Sequence, residues 1–195
     1  MAGRIDHGGK ISGLRISLLA PLLFLSAVPV FARDAKIQDL RVEILENRYQ
    51  ASFRVEGAFT PEVEERIASG LETSFRHRVR VYGKKTLWFD NLLLEMEVTT
   101  TVKFDSLTSQ YTLFRRIDGE LRVTEYTENP EEMRLWMSEL DGIPLGVADQ
   151  FPVTDRVYVK VKSNIRSRFF LFFIPIRWNT DWEMLPFPGL EKTIE

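Results

Sequence analysis

The sequence predicts a mainly β domain in which two helices pack on antiparallel, sandwich-like sheets. Several runs alternate between apolar and polar side chains, which is typical of strands that are buried on one face. Asp118-Gly119 lies between two of these runs, and Asp-Gly is a strong signal for a tight hairpin turn. Two short segments begin with helix-capping residues and continue with apolar residues at helical spacing.

The composition is that of an ordinary folded domain. The chain has 195 residues, of which 44% are hydrophobic and 12% aromatic, with no cysteine and a net charge of −2. This is enough for one buried core and excludes a disordered chain. The absence of cysteine excludes disulfides, thiolate metal centres and thiol nucleophiles. The near-neutral charge carries no electrostatic signature of nucleic-acid binding.

Residues 1–32 have the three parts of a secretory signal peptide. A positively charged flank precedes an apolar run at 16–31, which is shorter than the roughly 20 apolar residues that span a membrane. We therefore expect export to the periplasm of a Gram-negative bacterium, with an uncleaved N-terminal anchor as the alternative. Cleavage would leave a single β-rich domain at 33–195 with no transmembrane span. Its net charge would be −4, because the signal takes away three bases and one acid.

The first strands and the central meander are predicted from alternation and turn chemistry. Residues 37–45 and 49–55 form a candidate hairpin, and the run 92–104 is long enough to predict a bend or bulge. A three-residue loop at 105–107 and the tight turn at Asp118-Gly119 would join three strands. This register places Val98, Phe114 and Val123 in one row of the core face and Glu97, Arg115 and Arg122 in one row of the opposite face.

Two helices are predicted, at about 61–75 and 130–140. Each starts with a polar cap, Thr60 or Asn129, followed by a proline at the first helical position and acids in the first turn. The segment Asp-Gly-Ile-Pro at 141–144 would end the second helix. Apolar residues that would face the sheets are Val63, Ile67, Leu71 and Phe75 in the first helix, and Met133, Trp136, Met137 and Leu140 in the second.

Two further segments near the C-terminus are apolar. Residues 157–161 alternate and predict a strand with one solvated face. Residues 169–176 are continuously apolar, which favours a strand buried on both faces, and a membrane-dipping loop between flanking arginines is the alternative.

Arg76, Arg78 and Arg80 are the first candidate functional residues. On a strand they would share one face and form a cationic stripe that could meet an anionic membrane, a polyanion or an acidic protein surface. The alternative is an edge strand that carries charge to prevent aggregation. His77, between two of these arginines, is not expected to act as a base or to bind a metal, because adjacent cations disfavour both. We expect no metal site and no cofactor.

Glu95 and Glu97 are the second candidate. They lie two residues apart on one strand face, about 7 Å from each other, which suits an acid pair of the kind that glycosidases use. The alternative is an ordinary solvated sheet surface.

The order of these segments resembles a known family. The stretch from Arg76 to Val81, the Trp88-Phe89 pair, the sequence Leu-Thr-Ser-Gln-Tyr at 107–111 and the helix after Pro130 resemble the exported bacterial proteins of domain-of-unknown-function family 4390. The resemblance covers roughly residues 37–185 and implies a location in the bacterial envelope. It supplies no catalytic residues. Some members lie near genes for membrane sensor kinases, which implies a link to envelope signalling.

The sequence therefore favours an exported, non-enzymatic binding or accessory module of the cell envelope that works through the arginine stripe. Its partner would be an envelope protein or an anionic membrane surface. A hydrolase that acts on an envelope polysaccharide through Glu95 and Glu97 is the alternative. A structural subunit of an envelope complex is a third hypothesis.

Overall fold

A computed structural model describes residues 35–85, 89–151, 156–166 and 177–188. The predicted signal peptide, Trp88 and the apolar run 169–176 lie outside the described residues. The strands are β1 (Lys36–Leu45), β2 (Arg48–Glu56), β3 (Thr73–Lys84), β4 (Asn91–Asp105), β5 (Gln110–Ile117), β6 (Glu120–Thr127), β7 (Glu139–Val147), β8 (Arg156–Arg166), β9 (Arg177–Asn179) and β10 (Glu183–Pro186), and the helices are α1 (Pro61–Ala68) and α2 (Pro130–Ser138).

The strands form two antiparallel sheets that do not close into a barrel. The small sheet has the order β1-β2-β7, and the large sheet has the order β10-β8-β3-β4-β5-β6, with β9 also paired to β8. Strand β3 is thus central in the large sheet, between β4 and β8. The predicted mainly β fold with two helices is confirmed.

The core is made from the apolar faces of both sheets and of the helices. Burying each valine, leucine, isoleucine, phenylalanine or methionine side chain contributes about 1.5–3 kcal/mol to stability. The large sheet contributes Phe75, Val79, Val81, Val98, Val102, Leu113, Val159 and Val161, the small sheet contributes Ala51, Phe53 and Val55, and the helices contribute Val63, Ile67, Met133 and Met137.

Helix α1 ends earlier than predicted. It stops at Ala68, and Gly70 follows with a φ of +78°, a backbone conformation that favours glycine. Leu71 is 52% exposed, and Phe75 is buried in β3 rather than in the helix. Four-residue spacing is also twice the period of a strand, so the apolar pattern alone did not reveal where the helix changes to a strand.

Strand β7 replaces the predicted end of the second helix. Helix α2 stops at Ser138, and the segment 141–144 continues as an extended strand at the edge of the small sheet. An edge strand tolerates Pro144 because its missing N–H need not join a ladder. Gly142 has a φ of +65° within an irregular stretch of the β2–β7 pairing.

The meander 92–127 is confirmed as three antiparallel strands, but its predicted register is wrong. The first loop covers four residues, 106–109, so Val98 pairs with Ile117 instead of lying in a row with Phe114. Ser109 has a φ of +55°, and the Asp105 carboxylate accepts a hydrogen bond from the backbone N–H of Leu107. This turn chemistry was not recognised from the sequence.

The second turn is as predicted, but a bulge follows it. Ile117 pairs with Glu120 across Asp118-Gly119, and both turn residues have positive φ. The register then shifts by one residue, so that Arg115 pairs with Val123. The row Glu97–Arg115–Arg122 therefore does not exist, because Arg115 lies on the inner face, opposite buried Thr100.

Two other predictions about strands are confirmed. The first hairpin turns at Glu46 and Asn47, whose φ values of +48° and +62° suit a two-residue hairpin loop. The long strand β4 has an irregularity at Leu93, where the pairing with β3 shifts by one residue.

Candidate interaction surface

Strand β3 directs its arginines to the outer, solvated face of the large sheet. Because side chains alternate along a strand, Arg76, Arg78 and Arg80 point away from the core while His77 and Val79 are fully buried. The cationic stripe is therefore present as predicted. The alternative of a charged edge strand is wrong, since β3 is paired on both sides.

Strand β8 places a second column of cations beside the first. Lys160 lies opposite Arg80, and Lys162 lies opposite Arg78. Like charges directly across a sheet are destabilising by a few tenths of a kcal/mol to about 1 kcal/mol. We call the five residues Arg76, Arg78, Arg80, Lys160 and Lys162 the basic face.

Strand β4 places the two candidate acids on the other side of the arginines. Glu95 Oε1 accepts hydrogen bonds from Arg80 Nε and Nη2 at 3.1 and 2.9 Å, and Arg78 Nε is 3.5 Å from the same oxygen. Glu97 Oε1 is 4.0 Å from Arg76 Nε. The hydrogen bond to Glu95 raises the pKa of Arg80. Glu95 and Glu97 thus lie beside five cations, Asp90 adds a negative charge near Lys160, and the surface keeps an excess of positive charge.

The engagement of these acids also bears on the hydrolase hypothesis. Glycoside hydrolysis needs one carboxyl group that holds a proton and a second that attacks or activates water. Glu95 Oε1 is engaged by the guanidinium groups of Arg80 and Arg78, so this carboxylate is already paired within the sheet. The pair lies on a partly exposed sheet face.

Aromatic rings position the cations. The Arg80 guanidinium lies 5.2 Å from the centre of the Trp182 ring, and Lys162 Nζ lies 5.9 Å from the same ring. Tyr82 and Tyr158 stack at 5.5 Å with an interplanar angle of 17°, and Lys160 Nζ is 5.5 Å from each ring centre. Each such cation–π contact contributes about 0.5–1 kcal/mol at an exposed site. The lysine ammonium groups are thereby held over ring faces.

Asp90 anchors the tyrosine stack at one end of the sheet. The Tyr158 hydroxyl donates a hydrogen bond to Asp90 Oδ2. This bond lowers the pKa of Asp90, while burial and the same bond raise the pKa of Tyr158. Tyr158 therefore stays protonated and remains a donor.

His77 lies on the opposite face of β3, within the core. Its Nε2 is 3.4 Å from Thr100 Oγ1, which itself donates to the Met137 carbonyl at 3.1 Å. Because that hydroxyl proton is used, Nε2 donates to Thr100 and Nδ1 accepts from Ser163 Oγ at 2.8 Å. Burial, with a smaller contribution from Arg115, lowers the pKa of His77 to about 3. The adjacent arginines that the sequence suggested as the cause point to the other side.

A small charged pocket on the small sheet was missed by the sequence reasoning. It has a volume of about 140 Å³ and lies where the pairings of β2 with β1 and β7 are both irregular. Arg41 Nη2 is 2.9 Å from Asp141 Oδ1, and Arg54 pairs with Asp39 and Glu139. Each of the three acids is thus paired with one of the two arginines. The lining residues are Asp39, Arg41, Phe53, Arg54, Glu139 and Asp141.

Neither a metal centre nor a membrane-spanning helix is found within the described residues. No three of their His, Asp and Glu side chains are grouped so that they could hold a metal ion. No helix in this part of the chain is both long and apolar enough to cross a bilayer.

Sequence reasoning also missed the partners of the arginine stripe. The alternation at 157–161 predicts a strand with one solvated face, but nothing local indicates that this strand lies beside β3 and brings Lys160 and Lys162 to the arginines. Trp182 carried no signal of its own, because its role depends on the Arg80 and Lys162 side chains that reach its ring.

Comparison with known proteins identifies the family. A family model described as a domain of unknown function, DUF4390, matches residues 32–185. The match covers more than half of the chain, so the chain belongs to this family. No curated protein and no solved structure matches the chain.

Proposed function

We propose that this member of the DUF4390 family is an exported, periplasmic, non-enzymatic binding or accessory module of the bacterial cell envelope, linked to envelope signalling. Its working surface is the basic face. The signal-peptide pattern of residues 1–32 supports export, and the resemblance to exported envelope proteins supports the location. The Glu95 and Glu97 carboxylates serve the surface as partners of its arginines rather than as an acid–base pair.

One observation carries the proposal: Lys160 and Lys162 lie directly opposite Arg80 and Arg78. A sheet gains nothing in stability from like charges in neighbouring columns. An anionic partner removes this repulsion on binding and draws on the positive potential for rapid association. The arrangement therefore fits a docking surface better than it fits a purely structural one.

The test is retention of envelope partners by the tagged protein in its native host. In Lys160→Glu/Lys162→Glu, co-purification of envelope components should fall at least about tenfold, because two attractive contacts become repulsive. The lysines are preferable to the arginines, since Arg80 already binds Glu95 and its loss would disturb that pair.

Lys36→Glu/Arg48→Glu is the matched control. Both residues are exposed on the small sheet, and the double change alters the net charge by the same amount. Equal loss in the control would mean that only total charge matters. Undiminished retention by the lysine variant would rule out the basic face as the working surface.

A further inference from the structure

The two columns of the basic face are spaced like the side chains of an extended peptide. Alternate residues of a strand lie about 6.6–7 Å apart, and neighbouring strands lie about 4.8 Å apart. Arg76, Arg78 and Arg80 follow this spacing along β3, with Lys160 and Lys162 beside them on β8. An extended segment with an acid at every second position presents its carboxylates at the same interval.

Glu95 shows how this surface holds a carboxylate. One of its oxygens receives two donors from Arg80 and lies near Arg78. Within the described residues, neither Lys160 nor Lys162 forms an ion pair with a carboxylate at 4.0 Å or less, and Asp90 acts on Lys160 only from a longer distance. Their ammonium groups are held over the rings of Tyr82, Tyr158 and Trp182, so little side-chain freedom remains to be lost on binding.

We infer that the partner of the basic face is an acidic segment of another protein, bound in an extended conformation along β3 and β8. This inference rests on the proposed function. It names a protein rather than a membrane because Glu95 and Glu97 lie on the same face as the cations. A uniformly anionic bilayer would repel these two glutamates. A peptide that contacts only the two columns of cations avoids them, and repulsion from the glutamates keeps it aligned with β3 and β8.

The experiment measures binding of fluorescent peptides of about ten residues, the length of a long strand, by anisotropy with the purified protein. One peptide alternates Glu and Thr, and a second has the same composition with all Glu residues in one block. The alternating peptide should bind at least about tenfold more tightly, and its binding should weaken steeply as salt screens the charges. Vesicles of phosphatidylglycerol and phosphatidylethanolamine are the competing probe.

Variants distinguish this inference from the function on which it rests. Lys160→Glu/Lys162→Glu should lower the affinity for the alternating peptide at least about tenfold, while Lys36→Glu/Arg48→Glu should leave this affinity unchanged. One outcome overturns only the acidic-segment inference: the two peptides bind equally well or not at all, vesicles bind, and the lysine variant abolishes vesicle binding. The basic face then remains the working surface. If the lysine variant changes binding of none of the probes, both are overturned.

Discussion

The two faces of β3 carry different kinds of side chain in one short stretch of chain. Arg76, Arg78 and Arg80 are on the solvated face, while His77 and Val79 alternate with them and are fully buried. On the buried face both ring nitrogens of His77 have hydrogen-bond partners, and the outer face keeps more positive charge than its acids neutralise. Buried polar groups here serve the fold, whereas uncompensated surface charge is available to a partner. Changes on the two faces should therefore have separable consequences.

The largest expected effect is the pH dependence that His77 imposes. The folded protein protonates this residue only near pH 3, whereas the unfolded chain does so near pH 6.5. Between these values the unfolded state binds more protons, so the free energy of unfolding falls as the pH drops from 6.5 towards 3. The loss should be about 5 kcal/mol in total, at about 1.4 kcal/mol per pH unit.

Urea unfolding at a series of pH values checks this expectation. The carboxylates titrate in both proteins, so the informative quantity is the difference between the wild type and His77→Gln. Glutamine can still donate and accept hydrogen bonds towards Ser163 and Thr100. Identical slopes between pH 6 and 4 would show that His77 already titrates normally in the folded state.

A substitution at a second residue of the inner face should lower the free energy of unfolding less than the protonation of His77 does. Val79→Ala removes two methyl groups from a fully buried site and should lower the free energy of unfolding by about 2 kcal/mol. Binding through the basic face should not change, because the outer side chains keep their positions. Val123→Ala, at a partly exposed position in the edge strand β6, is the control and should cost less than about 1 kcal/mol. If Val79→Ala bound less well through the basic face under conditions where it is fully folded, packing on the inner face would also affect binding on the outer face.

The smallest expected effect is a gain in stability from the outer face. Lys162→Glu turns a like-charged pair with Arg78 into an opposite-charged pair, which should raise the free energy of unfolding by a few tenths of a kcal/mol. Lys103→Glu is the control, because Lys103 lies opposite Thr112 on β5 and should show no such gain. Precise denaturant titrations measure both. A loss of stability in Lys162→Glu would show that the Trp182 contact outweighs the repulsion from Arg78.

Several elements could be predicted because their signals are local. The alternation around Arg78 and Val79 predicts a strand with one solvated face. Asp118-Gly119 predicts a tight turn, and both residues have positive φ. The register beyond each turn could not be predicted, because an extra residue in the loop 106–109 and the shift near Arg122 change which residues pair. Arg115 was predicted opposite Glu97 but pairs with Thr100, a displacement of three residues, and any odd displacement moves a side chain to the other face.

The sequence by itself determined the β-rich class, the starts of both helices and the arginine stripe, since propensity, capping and period-two alternation act over a few residues. Only the tertiary structure decided that β8 lies beside β3, that Glu95 holds Arg80, and that His77 is enclosed by Ser163 and Thr100. These contacts join residues far apart along the chain. They depend on strand order and register, which follow from packing of the whole core rather than from any local preference.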